Sequence, residues 1–280
     1  MDPEVAEEFE REVEFMRMTR HTNIVRFFGA GAFPSGTPFL VEELMAGSLQ
    51  ACLYDGVVGA CKPLAWDMRY RLARDIAAGM AHIHQLGHMH RDLKSANVLV
   101  TERMLAKIAD FGSIRGLLVQ KTPASAKTSC GWSKSSSNGA NRDRKNAATD
   151  RSPQMSMTQW AGTPLYMSLE AIAGQVYGPT ADVWSYGVVL WELAAQREPD
   201  LLAQESLFQG PVLGGMQILL ESGKRLAIDP AWPEDFKALV SSCWLQDPEA
   251  RPSFVAVIDC LTAHEGATQT AAIAIDVTQL

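Results

Sequence analysis

Before Lys62 the chain contains no lysine, and nowhere does it contain a G-x-G-x-x-G run. These residues therefore encode no glycine loop cradling phosphates ahead of a strand lysine. No apolar stretch approaches the roughly 18 residues that cross a bilayer, which excludes a membrane-spanning helix. Cysteine is scarce: Cys52, Cys61, Cys130, Cys243 and Cys260 are scattered, odd in number and lack zinc-ligand spacing. That excludes a disulfide framework and points to a reducing compartment. Cys243 and Cys260 fall in helical patterns and read as buried thiols. Positive charge is also short, 25 Lys and Arg against 32 Asp and Glu, so nothing recommends nucleic acid as a partner. The opening MDPEVAEEFEREVEF is acidic, unlike a signal sequence, and cytoplasmic residence is the expectation.

What is present reads as a globular chain, 47% apolar and 20% charged over 280 residues, enough for one core or two small lobes. Val5, Phe9, Val13 and Met16 recur at helical spacing across 4–18. Ile24–Gly29 and Phe39–Glu42 read as short strands separated by Gly31, Pro34, Ser35 and Gly36. A short helix follows over Leu49–Tyr54. A long one runs from Asp67 to Gln85, with Leu72, Ile76, Met80 and Ile83 on one face and Gly87 at its end. Asn97–Thr101 and Lys107–Ala109 are further strand candidates. Helices are expected at 182–195, near 215–222, at about 233–245 and at 253–264, with a tail over 265–280 that lacks a clear packing face and is expected to fray. Between them, 120–157 is rich in Ser, Asn, Lys and Arg. There Lys121, Lys127, Lys134, Arg142, Arg144, Lys145 and Arg151 oppose only Asp143 and Asp150, a local charge of +5. Such a stretch reads as a disordered, solvated insertion; docking of an acidic partner and regulatory phosphorylation are the alternatives.

The chemistry is concentrated in His90-Arg91-Asp92-Leu93-Lys94-Ser95-Ala96-Asn97, followed by Asp110-Phe111-Gly112 thirteen residues beyond Asn97. A base, a cation and two oxygen ligands stand in the order that phosphoryl transfer requires. Around them lie Arg20-His21-Thr22-Asn23-Ile24-Val25, Ala161-Gly162-Thr163-Pro164-Leu165-Tyr166-Met167, Asp182-Val183-Trp184-Ser185-Tyr186-Gly187, and Cys243-Trp244 through Arg251-Pro252-Ser253-Phe254.

On these motifs the chain resembles the eukaryotic protein kinases, most closely the tyrosine-kinase-like group of serine/threonine kinases that includes the Raf and mixed-lineage types. The resemblance implies an α+β fold: a mostly helical large lobe over 46–264 and a truncated small lobe over 1–45 holding one helix and two strands. It implies that Asp92 receives or orients the substrate hydroxyl proton and that Lys94 offsets charge on the transferred group. Asn97 and Asp110 would hold Mg2+, and the backbone of Glu43 and Met45 would take the adenine of ATP. Glu12 becomes the helix carboxylate that pairs with the missing lysine, and Met16, Phe27, His90 and Phe111 a column joining the lobes, with Gly112 closing its motif. Asp182 would anchor the backbone near His90 and Arg91, and Glu170 would pair with Arg251. Thr158 lies where activating phosphorylation is expected, and Thr163 would shape the acceptor site. Leu93-Lys94-Ser95-Ala96-Asn97 follows the serine/threonine pattern, so a protein Ser or Thr is the implied acceptor.

The pattern also breaks. With no lysine to receive it, Glu12 lacks its family partner, and Glu42 puts a carboxylate where the family has an uncharged residue facing the adenine pocket. Ser168-Leu169-Glu170 loses the proline of the usual Ala-Pro-Glu, and the segment from Asp110 to Glu170 is long for the family. About three strands of the small-lobe sheet are absent, so the expectation is an N-terminally incomplete lobe whose open face needs a partner or a further segment to cover it. Two functions follow: a protein serine/threonine kinase, or an inactive pseudokinase serving as a scaffold.

Overall fold

Helix α5, Thr180–Ala195, is buried along its whole interior from Ala181 to Ala194, and the other helices collect around it. A helix buried on every side sits in the middle of a core. The computed structural model describes residues 3–55, 63–116, 164–201 and 212–264. These belong to one compact unit formed by 1–117 and 162–280. Thr158, Thr163, the basic stretch 120–157 and the tail lie outside the described residues.

The elements run α1 (Pro3–Met18), β1 (Phe27–Ala32), β2 (Pro38–Glu42), β3 (Gly47–Ser48), α2 (Leu49–Tyr54), α3 (Trp66–Gln85), β4 (His88–Met89), β5 (Val98–Val100), β6 (Ala106–Ile108), β7 (Arg115–Gly116), α4 (Leu169–Ile172), α5, α6 (Val212–Glu221) and α7 (Glu234–Cys243). A last helix, α8, occupies 254–264. This is an α+β arrangement: a mostly helical large lobe and a smaller lobe of α1 and the antiparallel β1–β2 hairpin. In the large lobe β3, β5 and β6 form a three-stranded antiparallel sheet, and β4 pairs with β7.

Local chemistry explains most boundaries. Ser48 caps α2 by accepting the Ala51 N–H at 3.1 Å. Gly87, at φ +75°, supplies the left-handed turn after α3 that a side chain would resist. On α3, Leu72, Ile76, Met80 and Ile83 are completely buried, each contributing about 1.5–3 kcal/mol of burial. Tyr186 of α5 donates to the Ala73 carbonyl of α3 at 3.0 Å, and Arg69 donates to that of Ala194 at 2.8 Å, so polar groups lock the same interface.

Two expectations are corrected. The strand read over Ile24–Gly29 begins only at Phe27, because the preceding backbone is already engaged with the large lobe. Ile108 N–H donates to Asn23 O and Val25 N–H to Ile108 O, both at 2.9 Å. Cys243 is buried but Cys260 is exposed; α8 turns Phe254, Val257 and Leu261 inward and leaves Cys260 outside that stripe. Between α1 and the hairpin lies an open groove of about 740 Å³ lined in part by Phe9, Val13, Ala30 and Pro38, with Glu10 and Glu14 on its rim.

Gly79 marks where α3 meets the loop between α1 and β1. A β-carbon there would stand 2.5 Å from the Asn23 carbonyl oxygen and 2.8 Å from Ile108 Cγ1. Gly→Ala in an open helix stabilises by about 1 kcal/mol, but Gly79→Ala is expected to destabilise by about 1–3 kcal/mol through overpacking. A lowered urea midpoint checks this; a raised one would contradict the close approach.

Candidate active site

The loop after β4 is held from beneath by α5. Asp182, 2% exposed, accepts the His90 N–H on Oδ2 at 2.9 Å and the Arg91 N–H on Oδ1 at 2.8 Å. His84 Nε2 lies 2.8 Å from the same Oδ2. Burial alone would raise the Asp182 carboxyl, but the hydrogen bond and charge of His84, with the Arg91 N–H, hold it below its ordinary value. These bonds sustain a left-handed φ of +70° at Arg91; Asp110 has a second such angle, +63°. Arg91 also directs Nε and Nη2 onto the Tyr177 hydroxyl at 2.9 and 2.7 Å.

From that base the reactive groups fan out. Asp92 Oδ2 accepts Lys94 Nζ at 2.6 Å and Asn97 Nδ2 at 3.0 Å, and Asn97 Nδ2 also reaches the Asp92 carbonyl at 2.9 Å. Asp92 Oδ1 is buried and has no hydrogen-bond partner among the described residues. His90 accepts the Asp92 N–H on Nδ1 at 3.3 Å, so Nε2 is the nitrogen that donates to the Ala109 carbonyl, at 3.1 Å. Ala109 N–H donates to Asn97 O at 2.9 Å. Those two bonds bring Asp110 beside the loop.

Around Asp110 the charge is one-sided. Its Oδ1 and Glu12 Oε2 lie 3.6 and 3.9 Å from where a β-carbon on Gly112 would stand. Burial, then the charge of Asp110, pushes Glu12 up to about 7, with Glu42 adding to the rise and the Phe111 N–H opposing it. Burial and Asp110 likewise raise Glu42. Among the described residues no lysine or arginine pairs with either glutamate. The neighbouring cations are committed elsewhere, Lys94 to Asp92 and Lys107 Nζ to Glu43 Oε1 at 2.6 Å. Burial would raise Glu43 as well, but the bonds from Lys107 and the Arg26 N–H bring it below its ordinary value. Leu44 is 99% exposed in the segment joining the lobes. Next to it the Met45 N–H makes no backbone bond to the described residues.

Further out, Glu170 and Arg251 form a bidentate pair, Nη1–Oε1 2.6 Å and Nη2–Oε2 3.0 Å. Burial would raise Glu170; the Arg251 hydrogen bond and charge outweigh it and hold it low. Of the expected column, Met16, His90 and Phe111 are buried and Phe27 is half-buried. His90 and Phe111 have ring centroids 5.6 Å apart. Sequence reading missed Phe15, 2% exposed and 5.0 Å from the Phe111 ring. It lies off the Val5–Phe9–Val13–Met16 stripe because α1 is buried on a second side. His84 and Tyr177 were missed too; only their nearness in sequence to the His90 and Asp182 motifs pointed to them.

The family described as protein tyrosine and serine/threonine kinase matches residues 1–135 and 134–261. The chain belongs to the protein kinases. It is 34% identical over 258 residues to a probable LIM domain-containing serine/threonine-protein kinase of Dictyostelium discoideum, covering 91% of this chain and 33% of that protein. Serine/threonine-protein kinase CTR1 of Arabidopsis thaliana is 32% identical over 259 residues, 91% of this chain and 26% of its own length. LIM domain kinase 1 of Drosophila melanogaster is 30% identical over 264 residues, 90% and 19%. The kinase domain thus spans a third or less of these relatives. No helix among its described residues is long and apolar enough to cross a membrane.

A magnesium ion fits part of this kinase site. Asp110 and the side-chain oxygen of Asn97 offer hard ligands, and magnesium completes its shell with water and phosphate oxygens rather than an all-protein cage.

Glu12 gives a test of this electrostatics. Its folded-state value of about 7 lies above its ordinary 4.5, so its contribution to stability is complete below 4.5 and is lost as pH rises to about 7. Glu12→Gln should flatten that part of the stability–pH curve. Asp110→Asn should move the Glu12 titration toward lower pH, followed by carbon-13 NMR of the carboxyl; an unmoved titration would show that Asp110 does not act on it.

Proposed function

We propose that this kinase domain transfers the γ-phosphoryl group of ATP to a serine or threonine of a protein substrate, and that it belongs to the tyrosine-kinase-like group. The Asp92 carboxylate carries the reading: Oδ2 is fixed by Lys94 and Asn97, and Oδ1, buried and without a partner among the described residues, is left as an acceptor for a hydroxyl proton. In this reading Asp92 takes the proton as the acceptor oxygen forms its bond to phosphorus and the bond to the ADP leaving oxygen breaks. Lys94 offsets the charge spread over the transferred oxygens. Bound magnesium, held by Asn97 and Asp110, would supply positive charge to screen the phosphates. The Glu43 carbonyl and the Met45 backbone would take the adenine edge. Thr163 would shape the acceptor site and Thr158 would be a phosphorylation site. The lobes would divide as 1–45 and 46–264, with 120–157 an insertion and 265–280 a tail. Cytoplasmic residence, with a partner or further segment covering the α1–hairpin groove, completes the proposal.

One observation favours the second reading, a pseudokinase scaffold. Glu12, Glu42 and Asp110 gather negative charge near the phosphate site with no basic residue paired to the glutamates among the described residues.

Calorimetry with magnesium and ATP on residues 1–280, alongside Asp110→Ala, separates the two. The catalytic reading expects saturable binding that Asp110→Ala abolishes. It also expects Asp92→Asn to keep binding while phosphate transfer falls by roughly a hundred- to ten-thousand-fold. A chain folded by circular dichroism that binds no nucleotide would overturn catalysis and leave the scaffold.

A further inference from the structure

Helix α5 reaches the catalytic loop a second time, about 15 Å beyond Asp182 along its axis, at Glu192. This carboxyl is 0% exposed. Its Oε1 accepts three hydroxyls: Ser95 Oγ at 2.6 Å, the Tyr166 hydroxyl at 2.9 Å, and the Tyr54 hydroxyl. Ser95 Oγ and the Tyr166 hydroxyl are themselves 3.3 Å apart. Oε2 is buried with no partner among the described residues. No Lys or Arg forms an ion pair with Glu192 among the described residues. The facing groups are Tyr54 from α2, Ser95 from the loop, Tyr166 from the turn before α4, and the charge of Glu198 beyond α5. Burial drives Glu192 up to about 7, the three hydroxyls oppose that rise, and Glu198 adds to it.

A carboxyl kept in a core without a counter-charge is expensive, and an apolar side chain would fill the space at lower cost. What Glu192 can do and leucine cannot is gather hydroxyls. Ser95 opens the turn Ser95–Asn97, which carries Asn97 against Asp92. We propose that Glu192 is a positioning residue for the catalytic loop, gripping it through Ser95 on the far side of Asp92 from the Asp182 grip, and tying Tyr54 and Tyr166 to the same point. Its importance to catalysis rests on the proposed role of Asp92, but the grip itself can be read without turnover.

The test is amide hydrogen exchange on residues 1–280, comparing Glu192→Gln, Glu192→Leu and Ser95→Ala. Glu192→Leu and Ser95→Ala are expected to speed exchange across 92–98 by about tenfold, the scale of one buried hydrogen bond, leaving the amides of α7 unchanged. Glu192→Gln should preserve slow exchange, because its amide oxygen accepts the same hydroxyls. It should also remove one pH dependence. The raised value makes the wild type's stability advantage over Glu192→Gln shrink as pH climbs from 4.5 to about 7, and a melting series at several pH values reads this. Acceleration spread equally over loop and α7, or none at all, would reduce Glu192 to a core residue. Glu192→Gln behaving like Glu192→Leu would remove hydroxyl gathering as the cause. If Glu192→Leu does not fold, Ser95→Ala decides alone, selective loosening supporting the grip and an unchanged loop overturning it. Absence of ATP binding alongside selective loosening would defeat catalysis while leaving the positioning intact.

Discussion

Two backbone N–H groups on one buried carboxylate hold this site together. Asp182 accepts from His90 and Arg91, and without that acceptor two amides would be left unsatisfied inside the protein. The same contact stabilises the left-handed backbone at Arg91, which would otherwise relax. Everything reactive hangs from it: Asp92 follows directly, Lys94 and Asn97 converge on Asp92 Oδ2, and the His90 ring reaches across to Ala109. The acid is kept ionised by His84 and the peptide dipoles despite its burial. The large lobe therefore supplies a rigid floor through one well-satisfied charge.

Above that floor the electrostatics run the other way. Burial, reinforced by the charge of Asp110, raises Glu12 to about 7 and raises Glu42 as well, and among the described residues no lysine or arginine pairs with either. The half of the site that would handle the acceptor hydroxyl is internally balanced. The half that would handle phosphate needs positive charge from magnesium or another source. That asymmetry lies in the residues themselves.

Legibility in the sequence follows contiguity. His90 to Asn97 and Asp110 to Gly112 are runs whose members lie side by side, so their chemistry is visible as text. Long helices were visible through periodicity, as in Leu72, Ile76, Met80 and Ile83. Pairs such as β4 with β7, each two residues long, carry no period to detect. Ile24 has strand chemistry, yet its neighbours spend their backbone bonds on Ile108, a tertiary choice that propensity cannot anticipate. Glu42 and Glu12 were flagged by type, but the sharing of negative charge with Asp110 needed coordinates. The Glu192 cluster was invisible, because its three hydroxyls come from residues 138, 97 and 26 positions away.

Asp182, Ser185 and Glu192 all face the functional segments from one helix: Asp182 holds the loop backbone, Ser185 donates to the Tyr166 carbonyl at 2.7 Å, and Glu192 takes the Ser95 hydroxyl. Helix α5 is thus a ruler with three graduations. One residue inserted or deleted between Asp182 and Glu192 would swing the later marks by about 100° and shift them by about 1.5 Å. No side-chain rearrangement in so crowded a core could absorb that. The length of this stretch is consequently far less free to drift than its apolar composition, where one hydrophobic residue can replace another of similar size.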